Sequence, residues 1–186
     1  MAEMLVCGID EAGHGPLAGP VTAGAVILGP GFPVGSLADS KALSAARRES
    51  LAARIRGEAL AWSVGWAWPE EIERFNIHVA TLLAMTRAFR GLSLRPQLVL
   101  VDGLFTPSLP VPSRAVVRGD GAIPQIMAAS IIAKTERDRW MRRYDPIEPG
   151  YRFEKHKGYP TREHRELLKA LGACAIHRRS FRLYSS

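Results

Sequence analysis

At 186 residues and 47% hydrophobic, the chain is sized for one globular domain with a sizeable core, and its longest apolar runs are too short to cross a bilayer. The N-terminal MAEMLVCGID lacks the basic and apolar regions of a secretory signal, and Cys7 and Cys174 stand far apart with no metal-ligand spacing, so a reducing cytoplasm is the expected location. Lys and Arg number 25 against 18 Asp and Glu, a net charge of +7, and only five of the cations are lysines (Lys41, Lys134, Lys155, Lys157, Lys169). Arginine suits bidentate phosphate contacts, which makes nucleic acid a candidate partner, although genomic base composition also enriches arginine.

In chain order, the pattern predicts strands over LVCGI (5–9), PVTAGAVIL (20–28) and ALAWSVGWA (59–67), with the turn signals GPGFPVG between the second and third. Cys7 reads as a buried small hydrophobe in the first of these. Ser44 caps a helix running to about Arg56, with Leu51 and Ile55 on one face and Gly57 as its stop. A second helix covers about Glu70 to Arg90, with a break expected near Asn76 and Leu82, Met85 and Phe89 at helical spacing. LVLV (98–101) is the clearest buried strand, followed by a short AVV (115–117). A long helix then runs from about Pro124 to Arg143, and Thr161 caps a last one that ends at Gly172. No repeat, low-complexity tract or linker divides residues 1–186, so a single domain with a central sheet and helices on its faces is expected.

Three apolar strands each end in a carboxylate beside glycine. LVCGI runs into Asp10-Glu11 with Gly13 close behind, LVLV into Asp102-Gly103, and AVVR into Gly119-Asp120-Gly121. Sites in open α/β sheets form outside the carboxyl ends of strands, so residues far apart in sequence can converge there. Each signal alone has an ordinary reading as a solvated turn, because Asp-Gly is a favoured hairpin dipeptide. A regular strand would send Asp10 and Glu11 to opposite faces, and the glycines that follow make an irregularity plausible that would let both serve one site. Clustered carboxylates repel one another unless protonated or metal-bound, and carboxylates without His or Cys suit a hard cation. A basic protein with such a site points to phosphodiester chemistry by a two-metal route.

The blocks GIDEAGHGPLAGPV (8–21), DSKALS (39–44), NIHVATLLAM (76–85), VDG (101–103), GDG…AASIIAKTERDR (119–139), GYPT (158–161) and HRRSF (177–181) resemble the ribonuclease HII family, in family order and across nearly the whole chain. The resemblance implies an α/β ribonuclease H-like fold. Its central five-stranded mixed sheet would be flanked by helices, with a small helical, substrate-binding C-terminal part over about 145–186. It implies a metal-dependent endonuclease that hydrolyses the RNA strand of RNA–DNA hybrids. Such an enzyme also incises 5′ of a single ribonucleotide in duplex DNA, leaving 5′-phosphate and 3′-hydroxyl ends. Asp10, Glu11, Asp102 and Asp120 match the family's acidic residues, which hold Mn²⁺ or Mg²⁺, two ions during catalysis, with Asp10 as the expected bridging ligand. A monomer is expected.

By the same likeness, Gly13, His14 and Gly15 form the loop that recognises the 2′-hydroxyl at the RNA–DNA junction, and Tyr159 stacks on the following deoxyribose. Ser40, Lys41, Lys134 and Arg137 are candidate phosphate contacts. Ser130 and Asp138 share a helix stripe with Lys134 and support the acidic site, although Lys134 and Asp138, at i,i+4, also suit a simple ion pair. His156, His164 and His177 are expected to be surface, capping or phosphate-contact residues, because the chemistry needs no histidine base. His14 stands where the family usually has arginine, which exchanges a fixed forked cation for a mostly neutral ring. The alternatives are another ribonuclease H-fold nuclease, such as a junction resolvase, or a catalytically weak hybrid-binding protein. The GYPT and AASIIAK blocks oppose the first, and the four carboxylates facing phosphates oppose the second.

Overall fold

A computed structural model describes residues 4–37 and 44–184. Ser40 and Lys41, two of the expected phosphate contacts, lie outside the described residues. Five strands form the sheet: β1 (Val6–Ala12), β2 (Val21–Ile27), β3 (Ala61–Ala67), β4 (Leu98–Asp102) and β5 (Ser113–Val116), in the spatial order β3-β2-β1-β4-β5. β2 pairs antiparallel with both β1 and β3, while β1–β4 and β4–β5 are parallel. The expected α/β mixed sheet is therefore present. Every residue of β2 is buried, because helices cover both faces of the sheet there.

One face packs against α2 (Pro69–Arg90), where Ile9, Val21, Ala23, Val99 and Val101 meet Ala80, Ala84 and Met85. The other face carries α1 (Ala45–Glu58) and α3 (Pro124–Tyr144), with Val26 packed among Leu51, Ile55, Met127 and Ile132. α3 lies unusually close to the sheet. A Cβ on Gly8 would sit 2.1 Å from the Gln125 carbonyl carbon, and one on Gly24 would sit 2.4 Å from the Ala129 oxygen. Only glycine lets the small-residue run AAS of α3 settle directly over β1 and β2. That approach brings Ser130 to the end of β1. The third cluster joins Leu17, Ala18 and Met141 to Tyr151, Phe153, Leu168 and Ile176, which fastens the C-terminal helices α4 (Phe153–His156) and α5 (Arg162–Leu171) to the loop after β1.

Local signals acted as expected at several boundaries. Ser44 accepts from Arg47 N and Thr161 from His164 N, capping α1 and α5. α2 is kinked at Asn76, which adopts a positive φ of 67° and whose side chain accepts from Val79 N at 3.1 Å, restarting the helix. Gly57 does not stop α1, which continues to Glu58. The helix ends where the Leu60 amide turns to the Ile27 carbonyl to begin β3. No helix among the described residues is long and apolar enough to cross a membrane.

Candidate active site

Because β1, β4 and β5 are parallel, their carboxyl ends open on one rim of the sheet. The last β1–β4 pair is Ile9–Val101, so Asp10 and Asp102 are the next residues along the two strands. Asp120 follows β5 in a single 3-10 turn, where its amide donates to Asp102 Oδ1 at 3.2 Å. β1 shows no irregularity at the acidic pair: it stays in register with β2 as far as Ala12, opposite Thr22. Pleating accordingly turns Asp10 toward α3, where it is 5% exposed and hydrogen-bonded by the Ser130 side chain. Glu11 instead lines a cleft of about 280 Å³ with His14, His78, Thr81, Asp102 and Phe105. Asp10 and Glu11 nevertheless both stand at this rim, where the charge of Asp102 repels each of them.

The electrostatics are those of carboxylates that repel one another. Burial, reinforced by Glu11 and Asp102, pushes the Asp10 carboxyl well above the usual range, against the pull of Ser130 and the Glu11 amide. Burial also raises Glu11, with Asp102 and Asp120 adding repulsion and a hydrogen bond to Asp10 opposing it. Among the described residues, no three His, Cys, Asp or Glu side chains stand close enough together to hold a metal ion as they are placed. An open set of oxygen donors fits Mg²⁺ or Mn²⁺, which bind through a few carboxylates and retain water.

The loop beside this rim combines one constrained glycine with one open one. Gly13 has φ of 96°, and a Cβ there would lie 2.2 Å from Arg137 Nε, whereas a Cβ on Gly15 would meet nothing within 4 Å. His14 is exposed between them; partial burial, then Arg178 and His78, lower its pKa, so the ring is neutral near pH 7. Tyr159 is half-buried, with Lys134 Nζ 4.9 Å and the Arg137 guanidinium 5.6 Å from its ring centroid. Lys134 pairs with Asp138 at 2.8 Å, the simpler of the two readings of that stripe, and only Ser130 of the stripe is bonded to the acidic pair.

Two expectations need correction. Arg137 is not a phosphate contact: it is fully buried, and its guanidinium donates to the carbonyls of Pro20, Ala18 and Lys157 at 2.9, 3.0 and 2.9 Å. His156, His164 and His177 are not at the surface either, being 7%, 0% and 3% exposed. His164 stacks on His156 with centroids 4.2 Å apart and meets His177 at 3.0 Å between Nε2 atoms. Sequence reasoning also missed Arg178, fully buried behind the glycine loop and bonded to the carbonyls of Gly13, His14 and Gly19. Its only sequence signal is its place in HRRSF, since an arginine in a basic chain reads first as a surface cation.

A five-stranded mixed sheet in the order β3-β2-β1-β4-β5 with helices on both faces is a ribonuclease H-like α/β fold. The comparisons are more specific. The family model of ribonuclease HII matches residues 7–184. The ribonuclease HII of Nitrosococcus oceani is 56% identical over 177 residues, covering 95% of this chain and 88% of that protein. The solved ribonuclease H2 of Pyrococcus horikoshii OT3 superposes with a TM-score of 0.80 at 25% identity, covering 97% of this chain and 95% of that one. Bst-RNase HIII, solved in complex with Mn²⁺, shares the fold at 15% identity and a TM-score of 0.73, over 97% of this chain and 68% of its own. The chain belongs to the ribonuclease HII family, and the activity of that family is endoribonucleolytic hydrolysis.

Proposed function

We propose that the protein is a metal-dependent nuclease that cleaves the RNA strand of RNA–DNA hybrids and incises 5′ of a single ribonucleotide in duplex DNA, leaving 5′-phosphate and 3′-hydroxyl ends. The observation that carries this is the meeting of Asp10, Glu11, Asp102 and Asp120 at one rim, in a chain whose net charge is +7. Four carboxylates facing a polyanion are costly for a protein that only binds, and useful to one that holds cations against a scissile phosphate. Asp10, Glu11, Asp102 and Asp120 would hold two divalent ions. When bound there, such ions supply an acidified water as nucleophile and counter-charge for the leaving 3′ oxygen.

The chain's own groups bind, orient and select. Ser130 keeps the Asp10 carboxylate in one orientation, and the Asp120 amide does the same for Asp102. His14 lines the cleft with Glu11 and Asp102, and the backbone of its loop, Gly13 to Gly15, can approach a sugar there and read its 2′-hydroxyl. Tyr159 offers an aromatic face for the neighbouring sugar, flanked by the Lys134 cation. The Mn²⁺ in the solved Bst-RNase HIII complex agrees with this donor set. The test is a duplex carrying one ribonucleotide, incubated with Mg²⁺, with Mn²⁺ and with chelator, and its product ends mapped. Cuts 5′ of the ribonucleotide that need a divalent ion are expected; metal-independent cleavage, or equal cutting of an all-DNA control, would refute the reading.

A further inference from the structure

The loop at residues 13–15 is held from behind by a single buried cation. Arg178 is fully buried, and its guanidinium donates to the carbonyls of Gly13 (2.7 Å), His14 (3.1 Å) and Gly19 (2.9 Å). The backbone around it is tied to the same loop: the Arg178 amide donates to Leu17 O at 2.8 Å, and the Gly19 amide donates to Ile176 O at 2.9 Å. The guanidinium also lies 5.2 Å from the Phe181 ring centroid, which limits its movement.

Peptide geometry gives this arrangement a consequence. In a trans peptide the C=O and the next N–H point in opposite directions. With the carbonyls of Gly13 and His14 turned inward to Arg178, the amides of His14 and Gly15 must turn outward, away from the guanidinium. Among the described residues neither amide has a hydrogen-bond partner, and a Cβ on Gly15 would meet nothing within 4 Å. Two consecutive donors therefore stand free at the lip of the cleft that His14, Glu11 and Asp102 line.

We propose that Arg178 is a positioning residue for ribonucleotide selection: by holding the carbonyls of Gly13 and His14 it aims the amides of His14 and Gly15 at a sugar or phosphate oxygen of the substrate. The inference rests on the reading of the site as ribonucleotide-specific. Lysine at 178 would retain the charge, but a single ammonium on a flexible stem does not reproduce a planar fork reaching three carbonyls.

The experiment measures equilibrium binding without divalent ions, by anisotropy, to a duplex with one ribonucleotide and to an all-DNA duplex of the same sequence. The readout is the ratio of the two dissociation constants. A loss of folded protein weakens both by the same factor and leaves the ratio unchanged, as a Leu51→Ala core truncation between α1 and α3 should show. Arg178→Lys should bring the ratio about fivefold or more toward unity, the loss of roughly one hydrogen bond. Phe181→Leu, which loosens the guanidinium without unpairing it, should give a smaller change in the same direction and carries the test if Arg178→Lys does not fold. A wild-type ratio in Phe181→Leu, and in Arg178→Lys if folded, would make Arg178 structural only and overturn the proposal. A wild-type protein with no preference between the duplexes would instead remove the underlying reading of specificity.

Discussion

The buried histidines make acid stability the sharpest prediction. Their partners dictate the tautomers. Nδ1 of His164 faces the Tyr159 carbonyl at 2.9 Å and must carry a proton, so its Nε2 is the acceptor for Nε2–H of His177. Nδ1 of His177 then accepts from the Cys174 amide at 3.0 Å. Each ring is neutral with one donor and one acceptor in use, and a further proton on either would place two N–H groups head to head. Burial, with repulsion from the neighbouring imidazoles, brings both rings down to about 4 from 6.5. Between those values the unfolded chain binds protons that the folded one refuses. The stability from neutral burial is therefore complete above about pH 6.5 and drains away as pH falls toward 4. At pH 5 this amounts to about 2 kcal/mol per imidazole, or roughly 4–8 °C in Tm for a domain this size. Asn in place of His177 can still accept from the Cys174 amide but cannot titrate. His177→Asn should thus be less stable at pH 7.5, yet lose about 2 kcal/mol less than the wild type between pH 7.5 and 5. Urea unfolding of both proteins at fixed ionic strength without metal measures this, and taking the difference cancels the opposing titration of the carboxylate cluster. Identical losses in the two proteins would refute the neutral relay.

Other outcomes follow from the site. Asp10→Asn should lower the cleavage rate by at least ~10²-fold while raising Tm, since it removes a buried charge repelled by Glu11 and Asp102; near-normal turnover at saturating Mg²⁺ would remove Asp10 from the mechanism. Gly13→Ala should destabilise by about 1–2 kcal/mol or more, because its φ is 96° and its Cβ would overlap Arg137, whereas Gly15→Ala should leave Tm unchanged. Equal thermal melts for the two would contradict the packing of that loop. His14→Arg should tighten duplex binding at pH 7.5 and steepen its log–log salt dependence by about one unit, since a neutral ring is exchanged for a phosphate-seeking cation. An unchanged salt slope would show that the side chain does not face phosphate.

How much of this was legible beforehand depends on how local the cause is. The capping of α1 by Ser44 and of α5 by Thr161, the kink at Asn76 and the position of β4 follow from short-range chemistry and are found where the chain pattern puts them, although β4 is not the buried run expected, since only Val99 and Val101 of it are buried. The three strand-end carboxylates were visible as candidates because a charge that ends an apolar run next to glycine is unusual wherever it occurs. Their convergence was not local. It needed β1, β4 and β5 to be parallel neighbours, a relation set by crossovers far along the chain. The irregularity that the glycines after Asp10-Glu11 made plausible is not there, because β1 keeps its register with β2 as far as Ala12.

The residues misplaced from sequence are the buried polar ones. Arg137, Arg178 and the three histidines belong to types that normally face water, and nothing in their immediate neighbours says otherwise. Their burial is affordable only because backbone carbonyls and amides from the β1–β2 loop, the Gly158–Tyr159 turn and the Cys174 segment reach them, and those partners are up to 165 positions away. The amino-acid order by itself thus determined most of the elements and the family, which depend on local periodicity and on residue type. Which cations meet solvent and which hold the loops together was decided only by tertiary structure, because a charged group's location follows from where its hydrogen-bond partners are brought.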